Sequence, residues 1–457
     1  MRLSGATLDG VPEAVTRPTY DRTAQAAGIV HFGIGAFHRA HQAVYTDAAM
    51  NAGERDWGII GVSLRSASVA EQMNPQDGLY TVAARSGEGV DYRLVGAVQR
   101  VLVASQEPEA VIEAVAAETT RIISFTITEK GYCRESDGSL DLALADANSV
   151  YRFLKDGLAI RRERGLTGVT FLSCDNLAQN GEQLEKLLSA YLAAHDPVLA
   201  EWVSAECSFP SSMVDRIVPA TTDVDLMAAQ TALGGFADAA HVVTEPFSQW
   251  VIEDRFVQGR PRWEAFDAEL VADVAPYETA KLRMLNGAHS ALAYLGLQRG
   301  HEFVHQAIGN DTLRSLVEQL MRKEAAPTID TAAGQDLMVY ADNLLERFAN
   351  PALNHRLAQI AMDGSQKIPQ RWLETSAFHQ QLGRQCPAIL TAMGAWLCHA
   401  RGDNGAVDDP MAEQLRAAWE KSGELGFADA VFEAGGLIVS GWRLDDDARQ
   451  VLVSGLR

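Results

Sequence analysis

A chain of 457 residues with 47% hydrophobic and 22% charged side chains has the make-up of a soluble globular protein and the length for two or three domains. Its formal net charge of −21 argues against a nucleic-acid partner, since phosphate backbones need a basic surface, but still allows a small anion in a local basic pocket. The five cysteines, Cys133, Cys174, Cys207, Cys386 and Cys398, are odd in number and never at CxxC spacing, which argues against a disulfide framework or structural zinc and for free thiols in a reducing cytosol.

The opening MRLSGATLDGVPEAVTRP lacks the apolar core of a secretory signal, and no run of about 18 apolar residues follows. A cytoplasmic protein with no membrane attachment is expected. In the first half, GIVHFGIG (28–35), WGIIGVSL (57–64), RIISFTIT (121–128) and GVTFLSC (168–174) read as buried strands. Residues 37–51, 107–117 and 182–195 carry helical spacing of apolar positions. This alternation predicts an α/β fold with a Rossmann-type doubly wound parallel sheet. Beyond about residue 275 the β-branched runs disappear, and segments such as TLRSLVEQLMRKEA, QDLMVYADNLLERFA and MAEQLRAAWEKS read as amphipathic helices. A boundary near 273 is therefore expected, between a dinucleotide-binding domain (1–273) and an all-helical C-terminal domain (274–457).

Gly33, Ile34, Gly35, Ala36 and Phe37 follow the first strand and open the next helix. There a doubly wound fold presents peptide N–H groups to a pyrophosphate. Gly33 permits the tight turn and Gly35 the close approach of phosphate, while His38 stands where the third glycine of the usual fingerprint would be. The tip of the second strand, from Gly61 to Ser68, carries no carboxylate for the adenosine ribose. Arg65 and Ser68 tolerate a 2′-phosphate instead, which leaves NAD and NADP both open.

At the start of the helical half, KLRMLNGAHS brings together Lys281, Asn286 and His289. On a regular helix Asn286 lies roughly 140° from Lys281, His289 roughly 80° and Glu278 roughly 60°. A stripe so polar does not suit a dry core. It suits hydride transfer from a secondary alcohol, which needs a base for the hydroxyl proton and donors for the alkoxide. A desolvated lysine makes such a base. Asn286 can donate to the oxygen, His289 can bind a neighbouring hydroxyl and Glu278 can pass the proton to water. The bland alternative is a solvated helix face.

Longer strings now carry a resemblance: GIVHFGIGAFHRAHQAVYTD (28–47), TITEKGY (126–132), SCDNLAQNG (173–181), FPSSMVDRIVP (209–219), EPFSQWVIEDRF (245–256), PYETAKLRMLNGAHSALAYLG (276–296) and DGSQKIPQR (363–371). Together the chain resembles the mannitol dehydrogenase family, the polyol-specific long-chain dehydrogenases/reductases, over nearly its whole length. The resemblance implies a monomeric, zinc-independent enzyme that prefers NAD, with Lys281 as catalytic base and Asn176 and Asn286 as oxyanion donors. It makes His289 a substrate-orienting residue and places Asp215, with Val214 before it, where cofactor and substrate meet. It gives Lys367 the far end of the substrate. KLRMLNGAHS, TEKGY and HRLAQIAMDGSQKIPQR look closest to fructuronate reductases, also called D-mannonate oxidoreductases. Bacterial mannitol 2-dehydrogenases tend to carry arginine at the position of Gln359 and glycine at that of Arg283. Arg283 and Lys367 are therefore expected to meet a substrate carboxylate, with a plain surface role for Arg283 as the alternative. Mannitol/fructose or arabinitol/xylulose interconversion is the competing substrate assignment.

Overall fold

The computed structural model describes residues 1–135 and 137–456. Among them the strands, in chain order, are β1 (Ala27–Phe32), β2 (Gly58–Ser63), β3 (Tyr80–Ser86), β4 (Gly89–Val95), β5 (Val98–Val103), β6 (Ile122–Phe125), β7 (Thr170–Ser173), β8 (Ser212–Asp215), β9 (Val242–Thr244), β10 (Gln249–Glu253) and β11 (Ala268–Val271). The four expected strands are β1, β2, β6 and β7. With β5 they build a parallel sheet in the order β5-β2-β1-β6-β7.

Alternation along these strands explains why their sequences read as unbroken apolar runs. Ile29, Ile59, Val101, Ile122 and Leu172 point into a core with Ala43, Met50, Trp250 and Trp263. Val30, Phe32, Val62, Ile123, Phe125 and Phe171 point the other way, to Val111, Val115, Leu154, Leu158, Leu184 and Leu188. Both faces are thus covered, and the sheet is doubly wound. The strand order reverses between β1 and β6, so the crevice for a ligand lies beyond their carboxyl ends. Gly33 follows β1, and Thr126 follows β6.

Two smaller sheets fall outside the expected strands. β3 and β4 form an antiparallel hairpin with β9 parallel to β3, and β10 lies between antiparallel β8 and parallel β11. The expected helix 37–51 is interrupted at His41, whose φ of −124° and ψ of −92° are not helical, and runs as Ala36–Ala40 and Gln42–Asn51. His41 Nε2 lies 2.8 Å from the Gln249 carbonyl, a tertiary bond that local propensity does not report.

The chain divides into two compact units, Met1–Ala275 and Pro276–Arg457, and all strands lie in the first. The second unit is helical. Its centre is the helix Gly287–Gln298, buried at every position from Gly287 to Gly296, with the equally enclosed Pro387–Ala400 against it. Buried Glu324 accepts from Ala388 N at 2.8 Å and Ile389 N at 2.9 Å, capping that second helix. Three stretches here are π-helical: Lys281–Asn286, Leu320–Ala325 and Pro369–Leu373. The first packs against both others. Among the described residues no helix is long and apolar enough to cross a membrane.

Candidate active site

In the first unit the turn after β1 is built around Gly33, whose φ of +95° suits glycine. A Cβ there would stand 2.0 Å from the Thr126 carbonyl oxygen. The Thr126 hydroxyl donates to the Gly33 carbonyl at 2.6 Å, and its oxygen lies 2.9 Å from Nε2 of His31, whose Nδ1 is 2.8 Å from Ser124 Oγ. Burial pushes the His31 imidazole down to about 3, so it stays neutral as a strut, stacked 3.5 Å from His38. Arg39 braces the turn through Gly35 O at 3.3 Å and Ala240 O at 2.5 Å.

Gly35 differs from Gly33. Its φ of −78° suits any residue, and the nearest atom to an added Cβ is Gly33 O at 3.8 Å. Nothing within the folded chain demands glycine there. The peptide N–H groups of Ile34, Ala36 and Phe37 find no acceptor among the described residues. A loop of unpaired donors beside an unfilled Cβ position fits a pyrophosphate. The Ile34 side chain packs on Gly61 and Phe37 stacks on His41 at 5.1 Å, so these residues offer a ligand their backbone. Arg65 and Ser68 are both exposed beyond β2, and Ser68 N donates to Ser66 Oγ at 3.2 Å.

Beyond β6 and β7 a carboxylate organises the loops. Asp175 accepts from Ile127 N at 3.0 Å, Thr128 N at 2.9 Å and the Tyr132 hydroxyl at 2.8 Å. It thereby holds Thr128 at a φ of +63°, a left-handed conformation that β-branched residues avoid. Burial raises the Asp175 carboxyl, opposed by these three donors. Asn180 ties the same loop to β8, donating to Asp175 O at 3.0 Å and Ser212 O at 2.7 Å and accepting from Ser212 N at 2.9 Å. Asn176 is exposed on this loop, while Val214 and Asp215 are buried at the end of β8. Sequence reasoning overlooked Asp175 and Asn180, although both stand in the SCDNLAQNG string.

In the second unit the expectation of a regular helix through Lys281 is corrected. Lys281–Asn286 is π-helical, and Gly287 N–H reaches back five residues to Leu282 O. The wider turn swings Asn286 back toward the face of Lys281, from the roughly 140° of an α-helix. Glu278, Lys281 and Asn286 are half-buried. The Asn286 side-chain amide makes no hydrogen bond among the described residues, while its carbonyl accepts from Arg371 Nη1 at 3.3 Å. His289 is no part of a solvated stripe. It is buried against Phe348 at 4.7 Å and His355 at 5.3 Å, with Nε2 unpartnered among the described residues. Burial, then neighbouring His355, Arg347 and Arg371, hold it well below the usual imidazole range.

Arg283 needs the second correction. Its Nη1 donates to Thr328 O at 2.7 Å and Thr328 Oγ1 at 2.9 Å, and its Nη2 to Glu374 at 3.0 Å. Both Nη nitrogens are thus engaged within the unit, the second with the Glu374 carboxylate, and Nε is buried without a partner among the described residues, so the guanidinium already has its acid. Lys367 lies on Gly364–Ile368 and donates to Met362 O at 2.5 Å, with Asp363 3.7 Å away. Arg371, one turn on, escaped attention although DGSQKIPQR ends on it. Among the described residues no group of three or more His, Cys, Asp or Glu side chains is placed to hold a metal ion.

The comparisons with known proteins point to one family. Residues 27–265 match the mannitol dehydrogenase Rossmann domain and residues 273–430 the mannitol dehydrogenase C-terminal domain. The chain is 40% identical to the D-mannonate oxidoreductase of Escherichia coli, over 88% of this chain and 87% of that one. It superposes on Pseudomonas fluorescens mannitol 2-dehydrogenase, solved as a ternary complex with NAD and D-mannitol, with a TM-score of 0.84 and 34% identity, covering 100% of this chain and 96% of that one. A D-sorbitol dehydrogenase in substrate-free form gives a TM-score of 0.89 at 32% identity, covering 99% and 97%. The chain belongs to the mannitol dehydrogenase family of oxidoreductases.

Proposed function

We propose that this protein is a metal-independent, NAD-dependent dehydrogenase that interconverts D-mannonate and D-fructuronate. The observation that carries the reaction class is the π-helical turn, which presents Lys281 and an uncommitted Asn286 amide from one half-buried segment. The sugar acid is supported by the 40% identity to a D-mannonate oxidoreductase across most of both chains.

The pyrophosphate of NAD would be held by the N–H groups of Ile34, Ala36 and Phe37 around Gly33 and Gly35, with Arg65 and Ser68 toward the adenosine ribose and Val214 toward the nicotinamide end. NAD supplies the hydride acceptor. Lys281 takes the proton of the reacting hydroxyl and Glu278 hands it on to solvent. Asn176 and Asn286 donate to the oxygen as it gains charge. Neutral His289 orients a neighbouring hydroxyl, Asp215 fixes the reacting end and Lys367 binds the far end.

A mannitol 2-dehydrogenase is the second reading, favoured by the superposition at a TM-score of 0.84 on such an enzyme. A substrate screen separates the two. It follows NADH and NADPH oxidation with D-fructuronate, tagaturonate, fructose and xylulose, and NAD+ reduction with mannonate, mannitol, arabinitol and sorbitol. The first reading expects fructuronate and mannonate to lead, with activity unchanged after exhaustive chelation. Turnover confined to neutral ketoses and polyols establishes the second.

A further inference from the structure

The second unit holds a half-buried guanidinium without giving it an acid among the described residues. Arg371 Nη1 donates to Ser290 Oγ at 2.7 Å and to Asn286 O at 3.3 Å, which fixes it to the helix that carries Asn286. Its Nε and Nη2 have no hydrogen-bond partner among the described residues, and it forms no ion pair there. Burial pushes its pKa down to about 10, opposed by the Tyr294 phenol alone. Lys367 stands four residues earlier on the same continuous helix, at a spacing where like charges repel. Its contact with Asp363 is long, 3.7 Å, and that carboxylate is 44% exposed, so the pair is weak. Buried His289 feels Arg371 and one further cation, Arg347.

Desolvated charge is costly unless paired. This chain has 60 acidic side chains against 39 basic ones, yet among the described residues none pairs with Arg371, and the nearby Asp363 and Asp409 act on Lys367 instead. The contrast with Arg283 is direct, since that guanidinium meets both a carbonyl and Glu374.

We propose that Lys367 and Arg371 form the subsite for the substrate's carboxylate, an inference that rests on the sugar-acid reading and names its specificity residues. The unbonded Nε–Nη2 edge of Arg371 supplies two parallel donors to the carboxylate oxygens. Lys367 adds a point charge. A neutral hydroxymethyl group brings no charge to either cation and cannot accept both donors of the Arg371 edge as a carboxylate does.

The test is steady-state kcat/KM for D-fructuronate and D-fructose in wild type, Arg371→Gln, Lys367→Gln and Arg283→Gln. Arg371→Gln is expected to lose about tenfold to a hundredfold on fructuronate, the loss of one charge-assisted hydrogen bond, and under about threefold on fructose. Lys367→Gln, at a half-buried site that tolerates the change, is expected to show the same bias and covers the case in which Arg371→Gln folds poorly. Arg371→Lys is expected to restore part of the fructuronate activity, and Arg283→Gln to affect both ketones alike. If wild type reduces fructuronate but Lys367→Gln and Arg371→Gln weaken both ketones equally, the subsite is wrong while the sugar-acid reading stands. If wild type reduces only neutral ketoses, both fall together.

Discussion

The two units present their ligand-facing groups in different ways. In the first, around Gly33–Phe37, the groups on offer are peptide N–H bonds, and the side chains turn inward onto Gly61 and His41. In the second the groups proposed to face a ligand are side chains, Lys281, Asn286, Lys367 and Arg371, carried on helices. A backbone site tolerates exchange of most side chains but no intrusion by a Cβ. A side-chain site depends on individual functional groups. Substitutions in the loop from Gly33 to Phe37 should therefore act on cofactor binding, and those at Lys281 and Asn286 on chemistry.

The largest separation is expected from Lys281→Ala. Loss of the base should lower the turnover of alcohol oxidation by about 10²–10⁴-fold, while NADH affinity, measured by fluorescence titration, stays within about twofold. A near wild-type rate across pH 6–10 would remove Lys281 from the mechanism. Asn176→Ala and Asn286→Ala come next, each slowing the hydride step by about a hundredfold. Because both are assigned to one oxygen, the double variant should lose less than the product of the two. Single-turnover rates that multiply cleanly would mean that the asparagines act on different atoms.

These assignments show what the sequence made legible. The runs IVHF, IISF and TFLS could be read because a strand covered on both faces is buried at every position and therefore mostly apolar, whatever its neighbours. Gly33 could be read because its constraint is local. The hairpin of β3 and β4 and the short strands β8 to β11 were passed over. The latter are three to five residues long and owe their pairing to distant partners. The π-turns were invisible for a related reason: nothing in the composition of KLRMLN distinguishes i→i+5 from i→i+4 bonding, which is settled by packing against Leu320–Ala325 and Pro369–Leu373. Arg283 and Arg371 look equivalent as letters. Only their partners, Glu374 for one and a serine and a carbonyl for the other, tell them apart.

The glycine pair sharpens the comparison from the side of the first unit. Gly33→Ala must place a Cβ 2.0 Å from Thr126 O at a φ of +95°, so it should destabilise the protein by about 2 kcal/mol or more and lower Tm by several degrees. Gly35→Ala has room, with 3.8 Å to the nearest atom. Its Tm should match wild type while NADH binding weakens by about tenfold, the cost of crowding one methyl into an occupied contact. Equal cofactor affinity in Gly35→Ala would show that phosphate does not approach this residue, and the backbone reading of the loop would fail.

The smallest effect concerns a side chain in the first unit, where the backbone rule should relax. Beyond β2 stand Arg65 and Ser68, both exposed and proposed to face the adenosine end of the cofactor, and the stretch from Gly61 to Ser68 carries no carboxylate. Ser68 N is held by Ser66 Oγ, and the Ser63 hydroxyl donates to Ser66 O at 2.6 Å, so the loop keeps its shape when the Ser68 side chain changes. Ser68→Asp places a negative charge where a 2′-phosphate would lie. In a solvated setting two such charges about 4 Å apart repel by about 1 kcal/mol, roughly a fivefold change. NAD, which carries a hydroxyl there, gains a hydrogen-bond acceptor and loses nothing. The ratio of kcat/KM for NAD over NADP should therefore rise about fivefold, almost wholly through a higher KM for NADP, and the rise should shrink as salt screens the repulsion. Were the ratio to stay fixed at both low and high ionic strength, Ser68 would lie away from the ribose, and discrimination between the cofactors would have to come from Arg65 alone.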